Sequence, residues 1–180
     1  MNVFKDQRVG IFVDVQNLYH SAKNLYGARV NFSTLMRVLV AGRKLIRSAA
    51  YVVKSDIDGQ ENQSQNNEKT LSSEASFFRA LEEAGFELRM KDLQVYAGGF
   101  KKADWDVGMA VDAIRMADSF DSVILVTGDG DFAPLVEYLK WGLGKEVEVA
   151  SFSKTTSQKL REVADKFTTL DNIQRILIRR

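Results

Sequence analysis

Val123-Ile124-Leu125-Val126-Thr127-Gly128-Asp129-Gly130-Asp131-Phe132 joins an apolar, largely β-branched run to two glycines and two aspartates. An unbroken apolar run suits a strand buried on both faces of a parallel sheet, whereas a strand with one wet face alternates. Arg8-Val9-Gly10-Ile11-Phe12-Val13-Asp14-Val15 has the same character, and an acid again stands where the apolar run ends. Further strands are predicted at Ala49 to Val53, Phe86 to Met90, Glu146 to Ala150 and Thr168 to Leu170, with a short strand or hairpin arm at Leu93 to Ala97.

Helical spacing fills the intervals. Asn17 to Tyr26 is one helix, stopped by Gly27; Phe32 to Lys44 is a second, with Leu35, Val38 and Leu39 on one stripe, Ser33 as its cap and Gly42 at its end. Ser72 or Ser73 caps a third, whose Phe77, Phe78, Leu81 and Ala84 face the core before Gly85 stops it. Others run from about Asp106 to Ala117, through the lone Pro134 to Trp141, and near Ser157 to Asp165. Strands alternating with helices predict an α/β fold, a mostly parallel sheet covered by helices on both faces. A single domain over residues 1–180 is expected, with its core at about 8–171, a long polar and mobile loop at about 55–70, and a short basic tail.

Composition narrows the chemistry. The chain has 180 residues, 45% of them hydrophobic, which is enough for a core without staples. There is no cysteine and one histidine, His20, so zinc clusters, thiol nucleophiles and Ser-His or Cys-His triads are improbable. Catalysis must then rest on carboxylates. Lys5, Asp6 and Arg8 interrupt the amino-terminal stretch, and no run approaches the ~20 apolar residues of a bilayer span, so a cytoplasmic protein with no membrane partner is expected. The net charge of +1 gives no bulk attraction for nucleic acid, which would have to be drawn by local placement.

In open α/β sheets ligands bind beyond the carboxyl ends of the strands, which is where the acids cluster. Asp14 ends the first strand inside a run otherwise committed to burial, where an ionised carboxylate is costly unless paired or metal-bound. Asn17 either caps the following helix or orients a ligand beside Asp14. Asp129 follows the strongest strand. Asp131 is either a second acid at that edge or a cap for the Pro134 helix, and the flanking glycines allow a tight turn. In Lys102-Ala103-Asp104-Trp105-Asp106-Val107-Gly108-Met109-Ala110-Val111-Asp112, Asp106 at the helix mouth is the better ligand candidate. Asp112 is expected to pair with a lysine, orient another group, or lie exposed. Carboxylates with little else suit a hard cation, Mg²⁺ or Mn²⁺, and the matching chemistry is in-line attack of a metal-oriented water on phosphorus.

Val13-Asp14-Val15-Gln16-Asn17, the Lys101–Ala113 stretch and Val126-Thr127-Gly128-Asp129-Gly130-Asp131-Phe132, in this order, resemble the three motifs of the NYN domain, in its LabA-like branch of the PIN-like nucleases. The resemblance spans Val9 to about Leu170. It implies a three-layer Rossmann-like fold and metal-dependent ribonuclease activity. Asp14, Asp106, Asp129 and Asp131 would form the acidic centre, with Asn17 and Thr127 as polar neighbours; Asp112, from its place among the residues, is ranked as supporting. The family often shows Lys-Gly-x-Asp where this chain has Lys102-Ala103-Asp104-Trp105-Asp106, which leaves open whether Asp104 or Asp106 faces the metal.

The expected partner is RNA, single-stranded, held by cations for its phosphates and aromatic faces for its bases. Arg89, Lys101, Lys102 and Trp105 supply that mixture, with Lys54 beside the polar loop; the alternative for Trp105 is a ring packed inward. The tail, with Arg175, Arg179 and Arg180 beside Ile176, Leu177 and Ile178, suits contact with RNA or with a second copy in a homodimer. The rival to the nuclease is a regulatory module that binds RNA or protein through the same pocket without cutting. A second rival is a phosphorylated receiver domain, which leaves the helix-borne acids unexplained.

Overall fold

The computed structural model describes residues 4–54, 75–92, 94–95, 101–102 and 105–179. In chain order the strands are β1 (Arg8–Asp14), β2 (Ala28–Val30), β3 (Lys44–Lys54), β4 (Glu87–Asp92), β5 (Gln94–Val95), β6 (Lys101–Lys102), β7 (Ser122–Val126), β8 (Glu146–Ser151), β9 (Lys166–Thr169) and β10 (Leu177–Arg179). The helices are α1 (Val15–Tyr26), α2 (Phe32–Val40), α3 (75–83), α4 (Asp106–Met116), α5 (Ala133–Glu137, prolonged by a wider turn over Tyr138–Gly142) and α6 (Gln158–Val163).

Six strands form one wholly parallel sheet in the order β4-β3-β1-β7-β8-β9. From β1 the chain builds outward through β3 to β4, then returns to the other side of β1 and builds through β7 to β9. The order therefore reverses between β1 and β7, where the loops leaving the two strands part and open a crevice. Alternate residues of β1 serve the two faces: Ile11 and Val13 pack with Leu18, Leu35 and Leu81, and Phe12 packs with Met109, Leu139 and Leu160. The expected three-layer α/β arrangement is thus present.

Several boundaries differ from the sequence expectation. Helix α2 is capped by Asn31, whose side chain accepts from Thr34 N, and it ends at Val40, with Ala41 in the left-handed conformation. That frees Lys44–Arg47 to extend β3, and these four residues lie outside the core, so no apolar pattern marked them. The carboxyl-terminal tail is partly spent on structure, because β10 pairs antiparallel with β2. The hairpin arm expected near Leu93 appears as β5 paired with β6. The loop at 55–70 and the Ser72 or Ser73 cap lie outside the described residues. Among the described residues no helix is long and apolar enough to cross a membrane.

At the amino ends of the strands, opposite the crevice, sits a buried charge network. Arg43 donates to the Glu148 carboxylate, to Leu39 O at 2.6 Å and to Gln7 Oε1 at 3.1 Å; Lys166 reaches the other Glu148 oxygen at 2.6 Å. Arg43 and Glu148 are 6% and 3% exposed, so each charge depends on the other for compensation. Burial alone would push the Glu148 carboxyl up, but Arg43 and Lys166 together hold it below its ordinary range.

Candidate active site

Asp14 stands at the carboxyl end of β1 and doubles as the cap of α1, its Oδ1 accepting from Asn17 N at 3.0 Å. Its Oδ2 accepts from the Thr127 hydroxyl at 3.2 Å across the crevice. The cap is therefore Asp14 rather than Asn17, and α1 starts at Val15, two residues earlier than the spacing predicts. Asn17 instead reaches across: its Oδ1 accepts from Gly128 N at 2.9 Å. Buried Thr127 also accepts from Asp129 N at 3.2 Å. The β1 and β7 loops are thus tied together through Asp14, Asn17, Thr127 and Gly128.

Asp129 rather than Asp131 is the local cap: its Oδ1 accepts from Asp131 N at 3.0 Å at the head of the short turn Gly130–Phe132. Asp131 is left with an exposed carboxylate. Burial pushes the Asp14 carboxyl above its usual range and the nearby Asp129 charge adds to this, while the hydrogen bonds from Asn17 and Thr127 oppose it. Two carboxylates are thus close enough to feel each other, one of them in surroundings that resist a lone negative charge.

The four expected acids do not converge into one cage. Among the described residues, no group of three or more Asp, Glu or His side chains is arranged to hold a metal. Asp106, in the first turn of α4, and Asp131 both line a groove of about 350 Å³ between α4 and α5. The separation follows from their elements, since Asp106 is carried on a helix of the face layer, whereas Asp14 ends β1 and Asp129 lies in the turn that follows β7. Mg²⁺ commonly takes one or two direct carboxylates and keeps several waters. The Asp14–Asp129 pair fits that demand: hard oxygen donors, mutual repulsion and partial burial are all relieved by a divalent cation.

Asp112 is engaged by partners of its own. Tyr51 donates its hydroxyl proton to Asp112 Oδ2 at 3.0 Å, and Arg89 and Arg115 lie at 3.8 and 4.0 Å. Its partners are arginines and a tyrosine, not the lysine expected, and burial with the Asp112 charge raises the Tyr51 hydroxyl well above its ordinary range. Arg89 is accordingly turned to Asp112. Trp105 takes its inward alternative: the indole donates to Val52 O at 2.9 Å, packs edge-on to Tyr51 at 5.3 Å, and lies under Lys91 at 5.8 Å. Lys54 ends β3 on the same sheet edge as Asp14. Lys101 and Lys102 form β6, and Asp104 lies outside the described residues.

The motif glycines serve space rather than unusual backbone. Neither Gly128 nor Gly130 has a positive φ, but a Cβ on Gly128 would meet Thr155 O at 2.5 Å and Ser151 Oγ at 2.9 Å, and one on Gly130 would meet Ser157 Oγ at 2.7 Å. Ser157 N also donates to Gly128 O at 2.9 Å. The segment from Ser151, the last residue of β8, to Ser157 is thus strapped over the aspartate loop, and sequence reading missed it. Its marker was available: SFSKTTS is rich in hydroxyls directly after a strand that ends at the same sheet edge. Gly128→Ala is expected to cost about 1–3 kcal/mol by overpacking against that backbone and to lower any activity of the crevice. Chemical denaturation measures the first effect.

The parallel sheet covered by helices is a three-layer α/β domain of the PIN-like kind. The chain belongs to the NYN domain family, matching it over residues 8–171. It is 25% identical over 183 residues to the Low amplitude and bright protein LabA of Synechococcus elongatus, covering 95% of this chain and 88% of that one. The crystal structure of a Vibrio parahaemolyticus protein of unknown function superposes with a TM-score of 0.79 at 31% identity, covering 99% of this chain and all of the other.

Proposed function

We propose that this protein is a cytoplasmic ribonuclease that hydrolyses single-stranded RNA with a divalent cation, Mg²⁺ or Mn²⁺. The observation that carries the reading is the Asp14–Asp129 pair, at the reversal point of a nuclease-type sheet, in surroundings that disfavour the unpaired Asp14 charge. Asp14 and Asp129 would hold the ion, with Asp106 and Asp131 at the rim of the adjoining groove. A cation bound there supplies charge stabilisation for the entering and leaving oxygens at phosphorus.

The protein groups do the positioning. Thr127 and the Asn17 backbone fix both oxygens of Asp14, and Asn17 holds the Gly128 peptide, so the two loops keep a constant separation. Asp129 spends one oxygen on its cap bond to Asp131 N, which leaves the other for a cation. Substrate phosphates would meet Lys54 on the same sheet edge. Purified protein incubated with end-labelled single-stranded RNA in Mn²⁺ should shorten it, and EDTA should stop the reaction. Tight RNA retention with no shortening in either cation would favour a binding module instead.

A further inference from the structure

In the strap that joins β8 to α6, Lys154 is an exposed residue whose neighbours are all fixed. Ser153 N donates to Asp171 Oδ2 at 2.7 Å, and Ser153 O accepts from the Arg161 guanidinium. On the other side, Thr155 N and the Thr156 hydroxyl both donate to Phe152 O, at 3.2 and 2.7 Å, and Ser157 N donates to Gly128 O at 2.9 Å. These bonds set where Lys154 stands. It is one residue from the Thr155 carbonyl that a Cβ on Gly128 would strike, and three from Ser157, whose hydroxyl lies against Gly130. Ser157 heads α6 without making a cap bond to it. Gly128 and Gly130 flank Asp129, so the strap is moulded on the aspartate turn itself.

We propose that Lys154 takes a backbone phosphate of the RNA beside the one that is cut. The inference rests on the ribonuclease reading and adds to it the path of the strand. That path runs across the carboxyl edge of the sheet, from Lys54 at the end of β3, over the crevice between β1 and β7, to Lys154 beyond β8. Strands β3 and β8 stand three strand spacings apart, about 14 Å. An RNA crossing there passes Asp14, Asp129 and the exposed Asp131. A bound divalent cation answers the charge of the phosphate that is cut. Its neighbours lie within the ~8–10 Å over which these carboxylates act through salt water, and they need a cation of the protein's own. A net charge of +1 supplies no general attraction. Lysine suits the task, since a compact ammonium on a flexible four-carbon stem meets a phosphate as a point charge and reads no base. With the backbone on both sides already held, binding has only that stem to order.

The test is the salt dependence of binding, read from the anisotropy of a fluorescein-labelled oligouridine of about 12 nucleotides, long enough for such a site, in Ca²⁺ to hold back cutting. Lys154→Gln should flatten the plot of log K against log salt by about 0.7, the slope of one phosphate on a single strand, and so weaken binding about fivefold at roughly 0.1 M salt. Lys154→Arg should keep the slope, and both variants should melt with the unaltered protein because the side chain is exposed. Lys44→Gln, at the amino end of β3, removes the same charge from the opposite edge and should leave the slope where it was. In Mn²⁺ the loss in Lys154→Gln should fall on KM rather than kcat, since a contact to an uncut phosphate is made equally before and during cleavage. An unchanged slope in Lys154→Gln would overturn the contact, as would an equal fall in Lys44→Gln, which reports bulk charge. So would the absence of RNA binding at every salt concentration. Cleavage in Mn²⁺ with an unchanged slope sinks the Lys154 contact and leaves the nuclease standing; a slope that falls without cleavage does the reverse.

Discussion

Asp14→Asn is expected to reduce RNA cleavage in Mn²⁺ by on the order of 10²- to 10³-fold, and Asp129→Asn by a similar factor. Both substitutions keep the shape and remove the charge that a cation would need. Oδ1 of an asparagine at position 14 can still accept from Asn17 N, so the cap of α1 survives. Stability should move the other way. Burial holds the folded Asp14 carboxyl above its ordinary value of 3.8, so the protonated form is favoured in the fold and its stabilisation is lost as pH rises through that raised value. At neutral pH in EDTA, Asp14→Asn should therefore melt no lower than the unaltered protein, while in Mn²⁺ its cleavage falls. Cleavage that persisted in both variants would remove this centre from the chemistry.

The largest stability effect belongs to the opposite end of the sheet. Arg43→Met leaves Glu148 buried with only Lys166 and Ser122 to answer it. Breaking a buried pair from one side costs about 3–5 kcal/mol, or roughly 6–20 °C of melting temperature for a chain of this size. Removing both partners together, as Arg43→Met with Glu148→Leu, should recover much of the loss, since the cost is the stranded charge and not the absent bond. A double variant as unstable as the single one would show that packing, not charge, sets the value. The same network predicts acid sensitivity. Glu148 is held below its ordinary 4.5 in the fold, so its contribution is complete above that value and is lost as pH falls through the lowered one. Unfolding titrations between neutral pH and about pH 3 in the protein and in Arg43→Met should diverge most at neutral pH and converge in acid.

Much of the site was legible because the two decisive strands are buried on both faces, and an acid that ends such a run has few structural excuses. The same reasoning placed Asp14 and Asp129 at the carboxyl edge of the sheet, where the structure has them. It left the caps open, because Asn17 and Asp131 are residue types as good at capping as Asp14 and Asp129, and the side-chain bonds place the caps at Asp14 and Asp129. It offered Arg89 to RNA and left Trp105 open between RNA and a ring packed inward, since composition shows an aromatic and a cation but not that Val52 O and Asp112 already engage them. The strap over Gly128 was invisible as a contact because Ser157 is 29 residues from its partner, although the hydroxyl-rich run itself was plain. Strand β10 escaped because three residues with partial exposure carry no usable alternation.

The hydrogen bond from Thr127 to Asp14 joins residues 113 positions apart, and this bears on synthesis. Chains grow from the amino terminus and domains form as units as they emerge. A nascent chain carries Asp14 early, yet it has no Thr127, Gly128 or Asp129 until more than two-thirds of the protein has been made. Central strand β1 must wait that long for β7. On the ribonuclease reading proposed above, no cutting centre could form at the ribosome until β7 has emerged. A product that terminates before β7 would be harmless for the same reason.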